Sequence, residues 1–490
     1  MHKEEVQNGL SGKAVLTTSA ATDFSSQHVT VTSVRMERRI FFILVGLIYL
    51  AALGAIEPWW EAFFESAILV LAACAIIADR DREPWHMPAV VVPLIGLMTF
   101  GCFQMLPLWR SYSDRSAYEV VTSNPFETKS FIIKLLVVAV LLTMVSRYTA
   151  NRERLLILMK TVTIAGAVSA LCALLRLVPT APLGELFQNK LQGESFAQFT
   201  NKNHFALLME MSIGPTLALV YLATTRTTRV LCGAALILIA TALLSANSRG
   251  GFLSFLGQAT LVSWIIVNAG AARFFLTRAT TSQVWWRRLL SRSRTIILHS
   301  ALLLLLFATL FVGFVWLGGE RIRQRLQTVP AELMSHADET QNTAPRRLEI
   351  WSATWNLIKA HPFAGSGLGA YETAIGGHFE NQYEWRPQQA HNEYLELIAG
   401  AGAAGAILGL WFVAVICREL KRRLLEDAFG RVVCVGAAIG LAGVAIHSLV
   451  DFGLHVMANT VVCTVLIALA TVKSPQRNTE KHREERPGDF

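Results

Sequence analysis

The chain has 490 residues, of which 53% are hydrophobic and 16% are charged, and its formal net charge is +9. Soluble domains average about 45–50% apolar and about 25% charged residues, so this composition excludes an ordinary water-soluble protein. Apolar runs of about 18–25 residues recur along most of the chain, and each is long enough to cross about 30 Å of hydrocarbon. The composition therefore predicts a polytopic integral membrane protein.

Twelve predicted membrane spans follow one another, each separated from the next by charged, proline or other polar residues. The runs are continuously apolar and lack the period of two that barrel strands show, so we predict an all-α fold. The predicted spans are 39–56, 62–78, 87–107, 129–146, 155–177, 204–223, 230–246, 251–269, 295–317, 393–417, 432–448 and 455–472.

The distribution of Lys and Arg predicts that both termini are cytoplasmic. One predicted inside linker alone carries six arginines: Arg273, Arg278, Arg287, Arg288, Arg292 and Arg294. The basic balance then reflects topology and contact with lipid headgroups, and we expect no nucleic-acid partner. The predicted organisation is a polar cytoplasmic tail (1–38), spans 1–9 (39–317), a large periplasmic loop (318–392), spans 10–12 (393–472) and a disordered cytoplasmic tail (473–490).

The predicted outside face collects four stretches that carry the unusual polar residues of the chain. Ionisable residues at or in a membrane are costly to place, so these stretches are candidates for function. They are Asn201-Lys202-Asn203-His204, Ser248-Arg249-Gly250-Gly251, the loop 318–392, and His447-Ser448-Leu449-Val450-Asp451-Phe452. Arg249 is predicted to lie in a turn between small residues, which is too tight for simple snorkelling to headgroups.

The loop 318–392 contains a predicted amphipathic helix over 346–360. Its apolar residues near helical spacing are Leu348, Trp351, Trp355 and Ile358. His361-Pro362 ends this helix, and the glycines of the following Gly365-Ser366-Gly367-Leu368-Gly369 segment predict a flexible turn. The loop then runs directly into span 10, so His391 is expected at the membrane surface, at a helix N-terminus.

Simpler interpretations of the charged residues remain open from the sequence. Arg346 and Arg347 fit the solvent-exposed turn of a helix as well as they fit anion binding. A single His such as His391 is more often a capping or hydrogen-bonding residue than a base. His447 and Asp451 are four residues apart and also fit a helical polar pair that closes a turn.

One motif is set aside as a decoy. Asp79-Arg80-Asp81 has the Asp-x-Asp form that nucleotide-sugar transferases use for a metal ion. It falls in a short predicted cytoplasmic loop with no domain around it, so we interpret it as a charged loop. The sequence offers no other candidate metal site.

Taken together and in order, the motifs of the outside face resemble the O-antigen ligase and O-antigen polymerase family of bacterial membrane glycosyltransferases. The resemblance covers about residues 200–455, a little over half of the chain. It rests on Asn201-Lys202-Asn203-His204, Ser248-Arg249-Gly250, Arg347-x-x-x-Trp351 with Pro362 and the glycine turn, Ala390-His391-Asn392, and His447-Ser448-Leu449-Val450-Asp451-Phe452.

The resemblance implies a reaction and its location. A glycan would pass from an undecaprenyl-diphosphate carrier to an acceptor sugar hydroxyl, on a growing glycan or on lipid A core, at the periplasmic face of the bacterial inner membrane. The family works without a metal ion, so we expect no cofactor. Ligases and polymerases share these motifs, so the choice between them stays open, and other polysaccharide assembly proteins are candidate partners.

The resemblance also implies roles for individual residues. Arg249 and Arg347 would bind the diphosphate, with Arg346 as the alternative counterpart in the Arg346-Arg347 doublet, and His391 would activate the acceptor. Guanidinium groups bind phosphate bidentately, and a histidine base suits reaction near neutral pH. Lys202 is a candidate third cation, and supporting roles fall to Asn203, His204, Asn392, His447 and Asp451.

The competing hypothesis is a membrane transporter, either a flippase for a lipid-linked glycan or an anion carrier. Twelve spans around an arginine-lined cavity would suit that function as well. Transporters usually carry inverted repeats and paired broken helices near the middle of the bilayer. The sequence shows no such symmetry and its polar residues lie on one face, which favours chemistry at a surface.

Overall fold

The computed structural model of the protein describes residues 35–54, 58–80, 84–107, 109–110, 118–149, 151–176, 196–277, 347–379 and 387–472. In chain order the elements are α1 (35–53), α2 (Pro58–Ala78), α3 (Val91–Gln104), β1 (Trp109–Arg110), β2 (Tyr118–Glu119), α4 (Pro125–Tyr148), α5 (Arg152–Arg176), α6 (Lys202–Leu222), α7 (Arg226–Ser245), α8 (Arg249–Thr277), α9 (Arg347–Ala360), α10 (Tyr371–Ile375), α11 (Glu393–Arg423), α12 (Ala428–His447), a 3₁₀ helix (Gly453–His455) and α13 (Met457–Thr471).

The described fold is dominated by helices that match the predicted spans. Eight of these helices are long and apolar enough to cross a membrane, and α3 and α13 are shorter apolar helices. The prediction of a polytopic helical membrane protein is thereby confirmed. Predicted span 295–317 lies outside the described residues, so the number of twelve spans and their orientation stay predictions.

One exception to the all-helical pattern is a two-residue antiparallel ribbon. Strands β1 and β2 pair Trp109 with Glu119 and Arg110 with Tyr118. The ribbon lies between α3 and α4, in a segment that the sequence analysis treated only as a connection between spans. It is too short to change the class of the fold.

Helix α6 is the buried centre of the bundle and packs against α5, α7, α12 and α13. Its contact with α12 depends on Gly214, because a Cβ at this position would clash with the backbone of Gly436. Gly443 of α12 lies beside Glu210 one turn earlier in α6, so the two helices run antiparallel. The same contact therefore brings Glu210 to the end of α12, where His447 lies.

Helix α11 is broken at Gly402, where the backbone has φ 58° and ψ −148°. A residue with a side chain rarely adopts this left-handed region, and a Cβ here would also clash with the backbone of Phe363. The break opens the carbonyl groups of the preceding turn to new partners. Ala399 O accepts from Ser366 N at 2.9 Å, and Gly400 O accepts from Gly367 N at 2.9 Å.

Gln104, the last residue of α3, fastens the glycine-rich segment to this break. Its Nε2 donates to Ala364 O and to Gly400 O, both at 2.7 Å, and its Oε1 accepts from Leu368 N at 3.0 Å. Non-helical backbone at membrane depth is tolerated when its polar groups are paired within the protein. The turn predicted at Gly365-Ser366-Gly367-Leu368-Gly369 is present. Its backbone is hydrogen-bonded to α3 and α11, and its glycines allow close packing and positive φ angles.

Helix α9 lies where the amphipathic helix was predicted, but its buried face is a different one. Leu348 and Trp355 are 56% and 52% exposed. Of the four predicted apolar residues only Ile358 is buried, together with Ile350, Ala353, Thr354 and Leu357. The apolar spacing gave the right helix and the wrong face because the large side chains at 348 and 355 do not pack on α11 or α10.

Asp79, the first residue of the Asp-x-Asp motif, is buried and does not lie in an exposed charged loop as predicted, whereas Asp81 lies outside the described residues. Asp79 is 2% exposed, and its Oδ2 accepts from Arg147 Nε and from Tyr148 Oη, both at 2.8 Å. The guanidinium of Arg147 in turn lies over the ring of Trp85. Asp79 thus forms a buried structural ion pair with Arg147, which joins the end of α2 to α4. This role agrees with the interpretation that the motif is not a metal site.

Candidate active site

The segment that carries His391 is hydrogen-bonded to the end of α12. Asn392 Nδ2 donates to Leu449 O at 2.9 Å, and Glu393 N donates to Ser448 O at 3.0 Å. The side-chain oxygen of Asn392 also caps α11 by accepting from Tyr394 N and Leu395 N. Asn392 therefore supports the site by fixing the chain directly after His391 to the turn that precedes Asp451.

The residue before His391 is held from two further sides. Ala390 N donates to Glu396 Oε2 at 2.9 Å, and Ala390 O accepts from Trp351 Nε1 of α9 at 3.0 Å. His391 itself adopts φ 50°, a left-handed conformation that is uncommon for a residue with a side chain. Such conformations persist only where the surroundings enforce them, and they cluster at functional sites.

His391 lies directly above a buried carboxylate. Its Nδ1 is 3.4 Å from Asp451 Oδ1, and its side chain is 30% exposed whereas that of Asp451 is 1% exposed. A carboxylate that accepts from Nδ1–H fixes the tautomer in which Nε2 carries the lone pair. The arrangement leaves an accessible imidazole nitrogen to act as a base, with Asp451 orienting the ring from below.

Asp451 is surrounded by three histidines. Besides His391, its Oδ2 lies 3.6 Å from His447 Nε2 and 3.9 Å from His204 Nε2. Burial raises the pKa of Asp451, but hydrogen bonds from His391 and His447 and the charge of His204 outweigh it, so the pKa lies below the usual range. Asp451 therefore remains a carboxylate at neutral pH.

His447 and Asp451 do pair across a turn, but the two residues do not lie on one helix. His447 is the last residue of α12, and Asp451 follows a turn at Ser448–Val450. The turn directs the carboxylate back beneath the helix end, where it meets histidines from three separate segments. Phe452 follows and packs edge-on against His391 and His204, with ring centroids 4.8 Å and 4.9 Å away.

Two candidate cations share a position that is unusual for cations. Lys202 and Arg249 are the first residues of helices α6 and α8, whereas the third candidate, Arg347, is the first described residue of α9. The N-terminus of a helix carries a partial positive charge, so it disfavours a cationic side chain and favours an anion. Each of these helix ends therefore combines a cationic side chain with backbone N–H groups that suit an anionic ligand.

Two of these helix ends are joined next to the histidine cluster. Ser248 Oγ donates to Asn203 Oδ1 at 2.8 Å, which links the residues beside Arg249 and Lys202. A Cβ added at Gly250 would lie 3.1 Å from His447 Nε2, so the start of α8 contacts the cluster directly. The structure thus brings Lys202, Asn203 and Arg249 to the same end of the bundle as Asp451.

Arg249 begins a helix and does not lie in the predicted turn. The turn is made two residues earlier by Asn247, whose φ is 52°, and Ser248 Oγ accepts from Gly251 N at the start of α8. Asn tolerates the left-handed conformation better than most residues, which explains its place here. The side chain of Arg249 is exposed.

Arg347 approaches the site through α9. It lies one helical turn before Trp351, which donates to the carbonyl of Ala390, the residue before His391. Residues four apart lie on the same side of a helix, so Arg347 lies on the side of α9 that carries this contact. Arg346, the alternative counterpart, lies outside the described residues.

Sequence reasoning missed Glu210, which contacts the cluster from inside the bundle. Its Oε1 lies 2.8 Å from His447 Nδ1, and the residue is fully buried in α6. A signal for it existed, because Glu210 is the one charged residue of predicted span 204–223. An ionisable residue within a membrane span is a functional candidate by default.

A second group of ionisable residues lies beside the first and was also missed. His455 Nε2 lies 3.4 Å from Glu393 Oε2 and 3.3 Å from Glu396 Oε1. Burial lowers the pKa of His455, but the neighbouring carboxylates of Glu393 and Glu396 outweigh it and raise the pKa to about 9. The imidazolium therefore joins the start of α11 to the segment before α13.

The ion pairs of His455 with Glu393 and Glu396 predict a pH dependence of the free energy of unfolding that can be measured. Because the pKa of His455 is raised from 6.5 to about 9 on folding, its stabilising contribution is complete below pH 6.5 and is lost as the pH rises through about 9. Thermal unfolding in detergent should show His455→Gln destabilised at pH 6 and close to the wild type at pH 10.

The exposed His361, at the end of α9, provides the matched control for this experiment. His361→Gln is expected to differ little from the wild type across the whole pH range. A destabilisation of His455→Gln that stays constant from pH 6 to pH 10 would contradict the assigned ion pair.

The described part of the chain shows no candidate metal site. No group of three or more His, Cys, Asp or Glu side chains among these residues has the arrangement of a metal site. The charged groups proposed for the site are instead the cations Lys202, Arg249 and Arg347 and a histidine–carboxylate cluster. This arrangement can bind an anion and can accept a proton close to it.

One comparison with known proteins gives a match, and it covers the part of the chain that carries several candidate site residues. No curated protein gives a significant match. The family model described as O-antigen ligase matches residues 234–410, a little over a third of the chain, which include Arg249, Arg347 and His391. The match supports assignment of this chain to the O-antigen ligase and polymerase family.

Proposed function

We propose that the protein transfers a glycan from an undecaprenyl-diphosphate carrier to an acceptor sugar hydroxyl, in the assembly of a surface polysaccharide. The reaction takes place at the periplasmic face of the inner membrane and needs no metal ion. The observation that carries the proposal is the accessible His391 above the buried Asp451, beside helix ends that begin with cations.

In this proposal His391 is the general base. Its Nε2 takes the proton of the acceptor hydroxyl as the oxygen attacks the anomeric carbon of the donor sugar. Asp451 holds the ring in the reactive tautomer and stabilises the imidazolium that forms, as the carboxylate of a catalytic triad does. The distance of 3.4 Å is long for a hydrogen bond, but catalytic hydrogen bonds often tighten only when substrate is bound.

Arg249, Arg347 and Lys202 are proposed to stabilise the leaving group. As the bond between the anomeric carbon and the diphosphate breaks, negative charge moves onto the diphosphate oxygens. Guanidinium groups bind such oxygens through paired N–H donors, and the N-termini of α6 and α8 add backbone donors. A well-placed donor contributes about 3–4 kcal/mol to such a step. A single displacement of this kind inverts the configuration at the anomeric carbon.

The acceptor remains open between the polymerase and ligase reactions. Polymerisation joins the donor glycan to a growing lipid-linked chain, and ligation joins it to lipid A core. Both reactions need the same base and the same diphosphate site. A deletion strain separates them, because single repeats on the core indicate lost polymerisation, whereas bare core with accumulated lipid-linked chains indicates lost ligation.

The broken helix of α11 has to be weighed for the transporter hypothesis, since transporters bind their substrates at such breaks. Here the carbonyls of the break accept hydrogen bonds from the segment 362–369 and from Gln104. These groups are engaged by the protein itself, which favours a structural role for the break. The accessible base at His391 lies beyond it, at the start of the helix.

The test compares transfer with transport by the same purified protein. With undecaprenyl-diphosphate glycan and acceptor in detergent, we expect a glycosylated acceptor, and we expect excess chelator to leave the rate within about twofold. In liposomes loaded with donor, movement of the donor across the bilayer without any transfer product would favour the carrier. A large loss of rate with chelator would contradict metal independence.

A further inference from the structure

The most deeply buried carboxylate near the site is Glu210, and the proposed reaction does not use it. It is fully buried in the central helix α6, and its Oε1 lies 2.8 Å from His447 Nδ1. Placing an ionisable group within a membrane span is costly, so its retention calls for a partner and a role. His447 is that partner, and it is 1% exposed.

The contacts continue from Glu210 to the surface. His447 Nε2 lies 3.6 Å from Asp451 Oδ2, and Asp451 Oδ1 lies 3.4 Å from His391 Nδ1. Carboxylates and imidazoles alternate along this series of four side chains. His447 and Asp451, the two inner residues, each face their two neighbours with different atoms. The chain leads from the interior of the bundle to the exposed imidazole.

We infer that Glu210 is a positioning residue for His391, and that it acts through His447 and Asp451. This inference rests on the proposed function. Glu210 fixes the ring of His447 through Nδ1, so that Nε2 faces Asp451. The carboxylate of Asp451 then lies between the two imidazoles, 3.6 Å from His447 Nε2 and 3.4 Å from His391 Nδ1.

The surroundings show why the link would be lost without Glu210. Gly250 of α8 lies next to the His447 ring, since a Cβ added there would be 3.1 Å from Nε2. Glycine has no side chain that could donate or accept a hydrogen bond. His204 is the other ionisable group at Asp451, and His455 with Glu393 lies beyond Phe452. None of these groups contacts Nδ1 of His447 among the hydrogen bonds of the described residues.

The variant that tests the inference is Glu210→Gln, which keeps the shape and removes the charge. Loss of a residue that orients a reacting group typically costs about 10–100-fold. We expect kcat to fall by this amount, with KM within about threefold of the wild type. Removing a negative charge also disfavours protonated histidines nearby, so the fall in activity at acid pH should move to lower pH.

Thr216→Val is the matched control, since Thr216 is buried in the same helix and is paired with Thr163 at 3.0 Å, remote from the cluster. This variant should keep the kcat and the pH profile of the wild type. Glu210→Asp restores the carboxylate and should recover part of kcat. This recovery separates a charged positioning role from simple packing.

His447→Gln removes the other residue of the same contact, and it takes the place of Glu210→Gln in the test if that variant does not fold. Where both fold, the double variant should lose no more than about threefold beyond the larger single loss, because both act on one path. Losses that multiply, or a Glu210→Gln enzyme with wild-type kcat and pH profile while His391→Ala is inactive, would overturn the inference alone. Wild-type activity of His391→Ala would overturn it together with the proposed function.

Discussion

The His391→Ala variant is expected to lose glycan transfer by about 10²–10⁴-fold while remaining folded. The acceptor hydroxyl is a poor nucleophile, and no other imidazole of the cluster is as accessible, since the side chains of His204 and His447 are 8% and 1% exposed. Removal of His391 therefore leaves the proton of the acceptor without an accessible base. The rate of product formation by purified protein in detergent measures this loss.

His361→Ala is the control for that variant, because His361 is an exposed histidine that lies at the end of α9. We expect its rate to equal that of the wild type. The loss in His391→Ala should appear in kcat, since the base acts in the transition state and contributes little to binding. Transfer at the wild-type rate by His391→Ala would rule out its role as base.

The Arg249→Ala variant is expected to lose about 10²–10³-fold in kcat/KM, equivalent to about 3–4 kcal/mol of stabilisation of the leaving diphosphate. Arg249→Lys should recover only part of this loss, because an ammonium group cannot bind two phosphate oxygens in parallel. Steady-state rates with varied donor concentration measure both variants. The effect should be smaller at high salt where exposed charges are screened.

Arg226 provides a close control for Arg249. It is also the first residue of a long apolar helix, α7, and it is also exposed, but it lies at the opposite end of the bundle from the histidine cluster. Arg226→Ala should keep its full rate. Equal losses in the two variants would indicate a general effect of charge on folding or insertion, and would contradict a diphosphate site at Arg249.

The helical membrane fold could be predicted because hydropathy and length directly report which segments can cross a bilayer. Predicted span 204–223 and helix α6, for example, differ by only a few residues at each end. The face of α9 could not be predicted in this way. Leu348 and Trp355 follow helical spacing, but which stripe of a short helix is buried depends on its neighbours, here α10 and α11.

The sequence indicated candidate residues for the site, but it did not show which of them contact one another. The motifs identified His391, Arg249 and Asp451 because polar residues are rare in an apolar chain. The sequence could not show that Asp451 turns back beneath His391, since this depends on the turn after α12 and on the hydrogen bonds of Asn392. Glu210 was visible as a lone charge in a span, but its partner His447 lies 237 residues away.

The break in α11 shows the same limit. The sequence analysis placed Gly400, Gly402 and Gly405 within one continuous predicted span, 393–417. The left-handed backbone of Gly402 depends on the segment 362–369 and on Gln104 of α3, which reach it from distant parts of the chain. The conformation of these glycines is therefore set by tertiary contacts and not by the local sequence.

The central claim is that one glycosidic bond forms for each undecaprenyl diphosphate released. Mass spectrometry of the purified wild-type protein incubated with donor and acceptor measures both products in one reaction. We predict equal amounts of glycosylated acceptor and undecaprenyl diphosphate, with inverted configuration at the anomeric carbon, and neither product from His391→Ala. Release of undecaprenyl diphosphate without a glycosylated acceptor, or equal product from His391→Ala, would contradict the account.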